Sequence, residues 1–241
     1  MNKVVSVLYF HLFTIIRSPK IALPVGFLIF LQMIHYMTAH SPPAQYFEYI
    51  FLAEIFTFVS AVWLGNSSSR WIDTTTEQLL ILRVKSDKLY YIIHTIFLFI
   101  LSIGISLISL TIPTIYSFTG LFEYFTVAYF SYSFLLFLGS SFAGMCLGSL
   151  LHPRILTKKN EAQFSSILAC VIAVIRYPLS QNYPILSNVL WVFPNISAHQ
   201  SIIINSSELT LPNVILLFLG SIIYGIAYSI IKIFLLCRKK F

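Results

Sequence analysis

Charged residues are scarce in this sequence, and acidic residues are the scarcest of them. Only 10% of the 241 residues are charged, with 8 acidic residues against 15 basic ones, whereas 58% are hydrophobic. A soluble domain of this size usually has about a quarter of its residues charged. The composition therefore excludes an ordinary soluble domain and indicates a polytopic membrane protein.

Cysteine is also rare, and motifs of catalysis or nucleotide binding are missing. The three cysteines lie in or beside apolar stretches without a CxxC pair, so we interpret them as packing residues. The sequence has no HExxH, no GxSxG, no Walker-type glycine loop and no acidic residue near the middle of an apolar stretch. We therefore expect no enzyme, no metal or cofactor bound by this chain, and a partner protein as the energy source for any work.

What the sequence does contain is six apolar segments long enough to cross a bilayer. They predict an all-α membrane protein with an amphipathic interfacial helix over residues 1–20 and one transmembrane domain over residues 21–241. Pro113 is expected to end the third span. The spans are expected at about 21–38, 48–65, 89–112, 124–151, 162–178 and 212–236, with inner loops at 66–88 and 152–161 and a re-entrant segment at 178–211.

The first residues have a helical stripe of apolar side chains, formed by Val4, Val5, Leu8, Leu12, Phe13 and Ile16. Such a stripe is typical of a helix in the headgroup plane, and Ser18-Pro19 would turn the chain into the bilayer. The alternative is a polar start to the first span, which would require burial of His11 and Arg17.

Basic residues predict the orientation. With both termini inside, the inner segments hold all of the 15 basic residues except Arg176. Such clustering between apolar runs is typical of topology control, so the net charge of +7 does not indicate a nucleic-acid partner. The inner loop from Arg70 to Lys88 contains a predicted amphipathic helix, which begins at the threonines before Glu77, and Ser86 with Asp87 is expected to cap a new helix.

Three further groups are candidate sites. Glu54 is ionisable within the second span and is a candidate, with Arg176, for the substrate path and outer gate; the alternatives are that it is solvated near the outer surface or paired with Arg176. Ser140, Gly144 and Gly148 recur at four-residue intervals, which favours close helix packing within one bundle, or else across a subunit interface.

The segment before the last span is broken by Pro178, Pro184 and Pro194, yet residues 185–193 are apolar and include Trp191 and Phe193. We expect short re-entrant helices that form an outer gate or only plug the top of the bundle. The histidines His35 and His94 are interpreted as interfacial or packing residues, because neither has a second metal ligand at helical spacing.

The chain resembles the membrane subunits of ABC-2-type exporters. The matching stretches are the amphipathic start ending in Arg17-Ser18-Pro19, the loop Glu77-Gln78-Leu79-Leu80-Ile81-Leu82-Arg83-Val84, and the Pro-broken segment before the last span. The short second inner loop departs from the family by lacking a second coupling helix. The resemblance implies that residues 72–83 form a coupling helix, with Glu77, Leu79, Leu80, Leu82 and Arg83 as its partner-binding residues.

The resemblance also implies the partners. These are two copies of a cytoplasmic ATP-binding subunit, which would hold ATP and Mg, and a second membrane subunit that is identical or homologous. The size is similar to that of small bacterial plasma-membrane permeases for peptide export and for bacteriocin or lantibiotic self-protection, which implies an amphipathic or apolar cargo. Two other readings stay open: a partnerless immunity protein that binds a toxin, and an intramembrane enzyme acting on lipid.

Overall fold

A computed structural model of the chain describes residues 3–37, 46–118, 127–156, 158–199 and 210–238. These residues are predominantly helical, and no strand occurs among them. Six helices are long and apolar enough to span a membrane. The predicted all-α class with six membrane-spanning helices is confirmed to this extent, and it indicates a multi-pass membrane protein.

The helices follow one another along the chain in a simple order. They are α1 Lys3–Arg17, a 3-10 turn Pro19–Ile21, α2 Ala22–Met37, α3 Tyr46–Ser68, α4 Thr74–Val84, α5 Asp87–Phe118, α6 Val127–Leu150, α7 Lys159–Asn182, α8 Pro184–Leu190 and α9 Leu211–Arg238. Residues 196–199 are also helical. Residues 200–209 of the predicted re-entrant segment, residues 124–126 of the predicted fourth span and the last three residues lie outside the described part of the chain.

Two prolines expected to end helices lie inside helices instead, so these two predictions were wrong. Helix α5 continues through Pro113, and α7 continues through Pro178. Proline removes one backbone donor, and membrane-spanning helices tolerate this loss where hydroxyls and neighbouring helices satisfy the freed groups. Beside Pro113, the hydroxyls of Thr111 and Thr114 donate to backbone carbonyls of the preceding turn, each at 2.7 Å.

Helix α6 is the centre of the bundle, and glycines bring its backbone against α3. A Cβ added at Gly148 would lie 2.1 Å from the Val62 carbonyl oxygen, and one added at Gly144 would lie 2.8 Å from that of Phe58. Ser140 is fully buried on the same helix. The predicted small-residue stripe therefore lies inside this bundle, where it lets two helix backbones touch.

Helix α1 faces the bundle with a different side from the predicted apolar stripe. Its buried residues are Ser6, Val7, His11 and Ile15, whereas Val5, Phe13 and Ile16 are exposed. The turn after α1 begins at Ser18, whose hydroxyl accepts a hydrogen bond from the Lys20 amide. The reason for the difference is that the bundle presents polar side chains to α1, and His11 of α1 packs among them.

Candidate docking helix and buried polar cluster

Helix α4 has clear local boundaries. It begins after Asp73, whose carbonyl accepts the amide of Glu77 at 2.9 Å. It ends at Lys85, which adopts the left-handed conformation (φ 64°) and donates its amide to the Ile81 carbonyl at 2.8 Å. Ser86 then caps α5, as predicted, because its hydroxyl accepts the Leu89 amide. Helix α5 therefore begins at Asp87, directly after the connection Lys85-Ser86.

The two faces of α4 differ in what they contact. Leu80, Ile81 and Val84 are buried against Val7 of α1, against α5 and against Leu236 of α9. On the opposite face, the exposed fractions of Leu79 and Leu82 are 62% and 70%, and Arg83 beside them is exposed as well. Of the five residues to which the resemblance assigns partner binding, three are therefore available at the surface, while Leu80 and Glu77 belong to the interior of this chain.

Glu77 lies at the centre of a buried polar cluster. Its Oε1 accepts a hydrogen bond of 2.7 Å from the Tyr91 hydroxyl on α5. The Arg154 Nη1, from the loop after α6, lies 3.7 Å from the same oxygen, and His152 Nε2 lies 3.8 Å from it. Arg154 also donates to the Tyr91 hydroxyl and, at 3.4 Å, to the Leu236 carbonyl of α9. The cluster therefore connects α4 with α5, α9 and the second loop.

The electrostatics of Glu77 reflect two opposed effects. Burial raises the pKa of the carboxyl above its ordinary value, while the Tyr91 hydrogen bond and the positive charge of Arg154 oppose that rise. A buried carboxylate is stable only with such partners. The inner face of α4 is thus held by a hydrogen-bonded acid, and not by apolar contacts alone.

A second group of polar side chains lies next to Glu77. Lys232 of α9 has an exposed fraction of only 1%, and its Nζ lies 3.1 Å from the Nδ1 atom of His94 on α5. The His11 ring of α1 packs on the His94 ring and on Phe97, with centroid distances of 5.4 and 5.2 Å. These side chains fill the space between α1, α5 and α9.

The two histidines of this region outside the spans remain neutral at ordinary pH. Burial, followed by the positive charge of Lys232, lowers the pKa of His11 to about 4. Burial and the charges of Lys232, Arg154 and Arg70 lower the pKa of His152 to about 3. The distance from His152 to Glu77 is therefore not that of an ion pair at neutral pH.

Sequence reasoning missed this part of the cluster. Lys232 was counted among the inner charges, and His94 was interpreted as an interfacial or packing residue; the structure places both in the interior, where His94 packs against His11 and Phe97. One signal was present: Lys232 is the single charged residue in the long apolar stretch 212–236. A charge at such a position is a functional candidate by default.

At the opposite end of α3, Glu54 is fully buried and paired with a histidine. His199 Nδ1 lies 2.8 Å from Glu54 Oε1, and Glu54 Oε2 has no hydrogen-bond partner among the described residues. The expectations of solvation or of a pair with Arg176 were wrong. Helix α7, which carries Arg176, does not bring its guanidinium to this carboxylate, whereas the chain after Pro194 returns to it.

Arg176 instead fastens the segment after α8. Its guanidinium donates to the Phe193 carbonyl and, at 2.9 Å, to the Tyr224 hydroxyl. The Tyr224 hydroxyl donates to the Trp191 carbonyl at 2.7 Å, and the Tyr228 hydroxyl donates to the next carbonyl at the same distance. The backbone at Trp191 and Val192 is thus bound to α9 and that at Phe193 to α7, while the Trp191 side chain has an exposed fraction of 63%.

The six apolar helices and the short α4 define the chain as a multi-pass helical membrane protein. No family model, curated protein or solved structure matches it. The two faces of α4 and the contacts at both ends of the bundle are therefore the basis of the functional proposal.

Proposed function

We propose that the chain is the membrane-spanning permease subunit of an ATP-driven exporter of the ABC-2 type. In this proposal the chain is a transport subunit and not an enzyme, and ATP hydrolysis belongs to a separate cytoplasmic subunit that holds ATP and Mg. The observation that carries the proposal is helix α4, which is anchored inside by Glu77 and exposes Leu79, Leu82 and Arg83 outside.

The anchoring makes α4 suitable for transmitting a force. A partner that binds its outer face would move Glu77, and with it Tyr91 of α5 and Arg154, which also contacts α9. An apolar pair flanked by a cation on a short helix is the kind of surface that fits a groove of another protein. Coupling in the proposed exporter would thus run from α4 into the spans through side chains that are already in contact.

The charge distribution supports the orientation that the proposal requires. The α4 end of the bundle, where α1, α4, the loop after α6 and the end of α9 meet, carries most of the basic residues. Basic residues concentrate on the cytoplasmic side of membrane proteins. We therefore place the α4 end in the cytoplasm, beneath a bacterial plasma membrane, with both termini inside.

The remaining partners and the cargo follow from the same proposal. A second membrane subunit, identical or homologous, would complete the path, and two ATP-binding subunits would drive it. The chain's aromatic spans, which carry few charged residues, suit an amphipathic or apolar cargo such as an antimicrobial peptide. Glu54, Arg176, Trp191 and Phe193 lie at the opposite end and are proposed to form the outer gate.

The docking proposal is tested by two leucines of the same helix with opposite exposure. Leu82→Asp replaces an apolar side chain of the exposed face by a charged one. It should abolish co-purification of the ATP-binding subunit while leaving the melting temperature of the isolated chain unchanged. The loss of one apolar anchor from an interface costs on the order of 2 kcal/mol. Arg83→Glu should act in the same direction, because it reverses the charge of that face.

Leu80→Asp is the matched control. It places a carboxylate among Val7, Tyr91 and Leu236, so it should lower the melting temperature first and docking only as a consequence. Normal co-purification of the ATP-binding subunit with Leu82→Asp would contradict the coupling role of α4. A chain that binds a peptide toxin alone, or that turns over a lipid, would favour one of the other classes.

The gate is tested at Trp191. Because the Trp191 backbone is held by Tyr224 while its ring is exposed, Trp191→Ala should preserve folding and docking but reduce export or resistance. Val189→Ala, also exposed in this segment, is the control and should leave transport unchanged. A fall in stability before any loss of transport would instead identify the segment as a plug of the bundle.

A further inference from the structure

Lys232 places an amine in the interior of the bundle without a carboxylate of the described segments in direct contact, although Glu77 lines the same pocket. Among the described residues, no carboxylate oxygen lies within 4.0 Å of its Nζ atom, and its only hydrogen-bond partner there is His94 Nδ1 at 3.1 Å. A buried cation without a paired anion is strongly unfavourable, whereas a neutral amine is not. The charge of this residue is therefore tied to its imidazole neighbour.

We propose that Lys232 and His94 form a buried binding site for a single proton, which the two nitrogen atoms share. The contact requires one nitrogen to donate and the other to accept. When the proton is on Lys232, its ammonium donates to the lone pair of His94 Nδ1; when the proton is on Nδ1, that N–H donates to the lone pair of the neutral Lys232 amine. Two positive charges at 3.1 Å would also repel each other strongly in this interior. The pair thus holds one excess proton or none.

The surrounding groups leave this pair as the place where a proton is bound. Glu77 already has Tyr91 and Arg154 as partners. Burial and neighbouring positive charge keep His11 and His152 neutral, since their pKa values fall to about 4 and about 3. The titratable and charged groups that face the pair from the adjoining helices and loops are His11, Arg70, Glu77, Tyr90, Tyr91, Cys146, His152 and Arg154.

A small polar pocket adjoins the pair on the side of Glu77. Ser68, Ser69 and Glu77 line it together with Lys232 and His94. A polar pocket of this kind accommodates water when several polar partners surround it. His11, which also lines the pocket, has a buried Nε2 atom without a hydrogen-bond partner among the described residues, and a water molecule there would satisfy it.

The site is independent of the proposed ATP-binding partner, so it is tested on the isolated full-length chain in detergent micelles. Lysine is labelled with ¹³C at Cε and histidine at Cε1, and both are followed by NMR as the pH is changed. The signals of Lys232 and His94 are expected to move in one step with a common midpoint, because the pair gains a single proton. Lys20, exposed in the turn after α1, is the internal control and should titrate apart from this step.

Two variants assign the signals. Lys232→Met removes the lysine signal, His94→Gln removes the histidine signal, and each should abolish the shared step in the signal that remains. Titration of Lys232 together with Lys20, and of His94 in a separate step, would overturn the proposal, as would survival of the shared step in either variant. If neither variant folds, the unmodified chain decides: one lysine and one histidine with a common midpoint support the site, and no common midpoint overturns it.

Discussion

Replacement of Gly148 by alanine gives a direct test of the packing between α3 and α6. The added Cβ would lie 2.1 Å from the Val62 carbonyl oxygen, 2.8 Å from the Asn66 amide nitrogen and 2.9 Å from the Val62 carbonyl carbon. All three atoms belong to the backbone of α3, so no side-chain rotation relieves the overlap. The two helices must separate or tilt.

The size of the effect follows from these distances. An ordinary contact begins at 3.4 Å, so the helices must move by about 1.3 Å (3.4 − 2.1) at this point. A gap of even 0.5–1 Å forfeits roughly a quarter to a half of the dispersion energy of the contacts that open. Overpacking typically costs about 1–3 kcal/mol, whereas alanine gains up to about 1 kcal/mol over glycine in a helix. Because the clash is with backbone atoms that cannot rotate away, the upper end of the overpacking cost applies, and we expect a net loss of about 2 kcal/mol.

Thermal unfolding of the purified chain in detergent measures this loss. Gly104→Ala and Gly220→Ala are matched controls, because a Cβ at either position meets no atom of the described residues within 4 Å. Both controls should melt at the original temperature or slightly above it. Equal melting temperatures for Gly148→Ala and the two controls would refute the proposed backbone contact.

Three further predictions concern the α4 end. Tyr91→Phe removes the hydroxyl that donates to Glu77 and should lower the free energy of unfolding by about 1–2 kcal/mol, so an unchanged melting temperature would contradict that hydrogen bond. Because the folded-state pKa values of His11 and His152, about 4 and about 3, lie below their ordinary 6.5, the unfolded chain binds more protons as the pH falls from 7 toward 4. Stability should decline below about pH 6.5, with a slope that approaches about 1.4 kcal/mol per pH unit for each histidine until the pH nears its folded-state pKa, and His152→Gln should flatten the decline measured by thermal melts. Lys85→Gly removes the strain of a non-glycine residue in the left-handed conformation at the end of α4 and should raise the melting temperature. The gain in the free energy of unfolding should be at most about 1 kcal/mol, and a lower melting temperature would oppose this reasoning.

The sequence was sufficient for the spans and for α4 because both depend on local physics. A helix that crosses a bilayer must be apolar over about 20 residues, and this requirement is visible in any window of the chain. The end of α4 at Lys85 depends on a local hydrogen bond to the Ile81 carbonyl, whereas its start after Asp73 has no side-chain cap. The continuation of helices through Pro113 and Pro178 was not visible, because neighbouring helices and hydroxyls decide whether the lost donor is tolerated.

The partners of the buried polar side chains were decided by the tertiary structure alone. His199 is 145 residues from Glu54, and His94 is 138 residues from Lys232, so no local pattern links either pair. Whether these pairs form depends on how each helix is rotated about its axis. That rotation is determined by contacts between helices, such as the contact of Gly148 of α6 with the backbone of α3. The sequence by itself determined which segments enter the membrane, because transfer into lipid is a property of each segment. Only the packed bundle determined which of their few polar residues face one another, because an isolated helix has no preference for the direction of its polar face until other helices surround it.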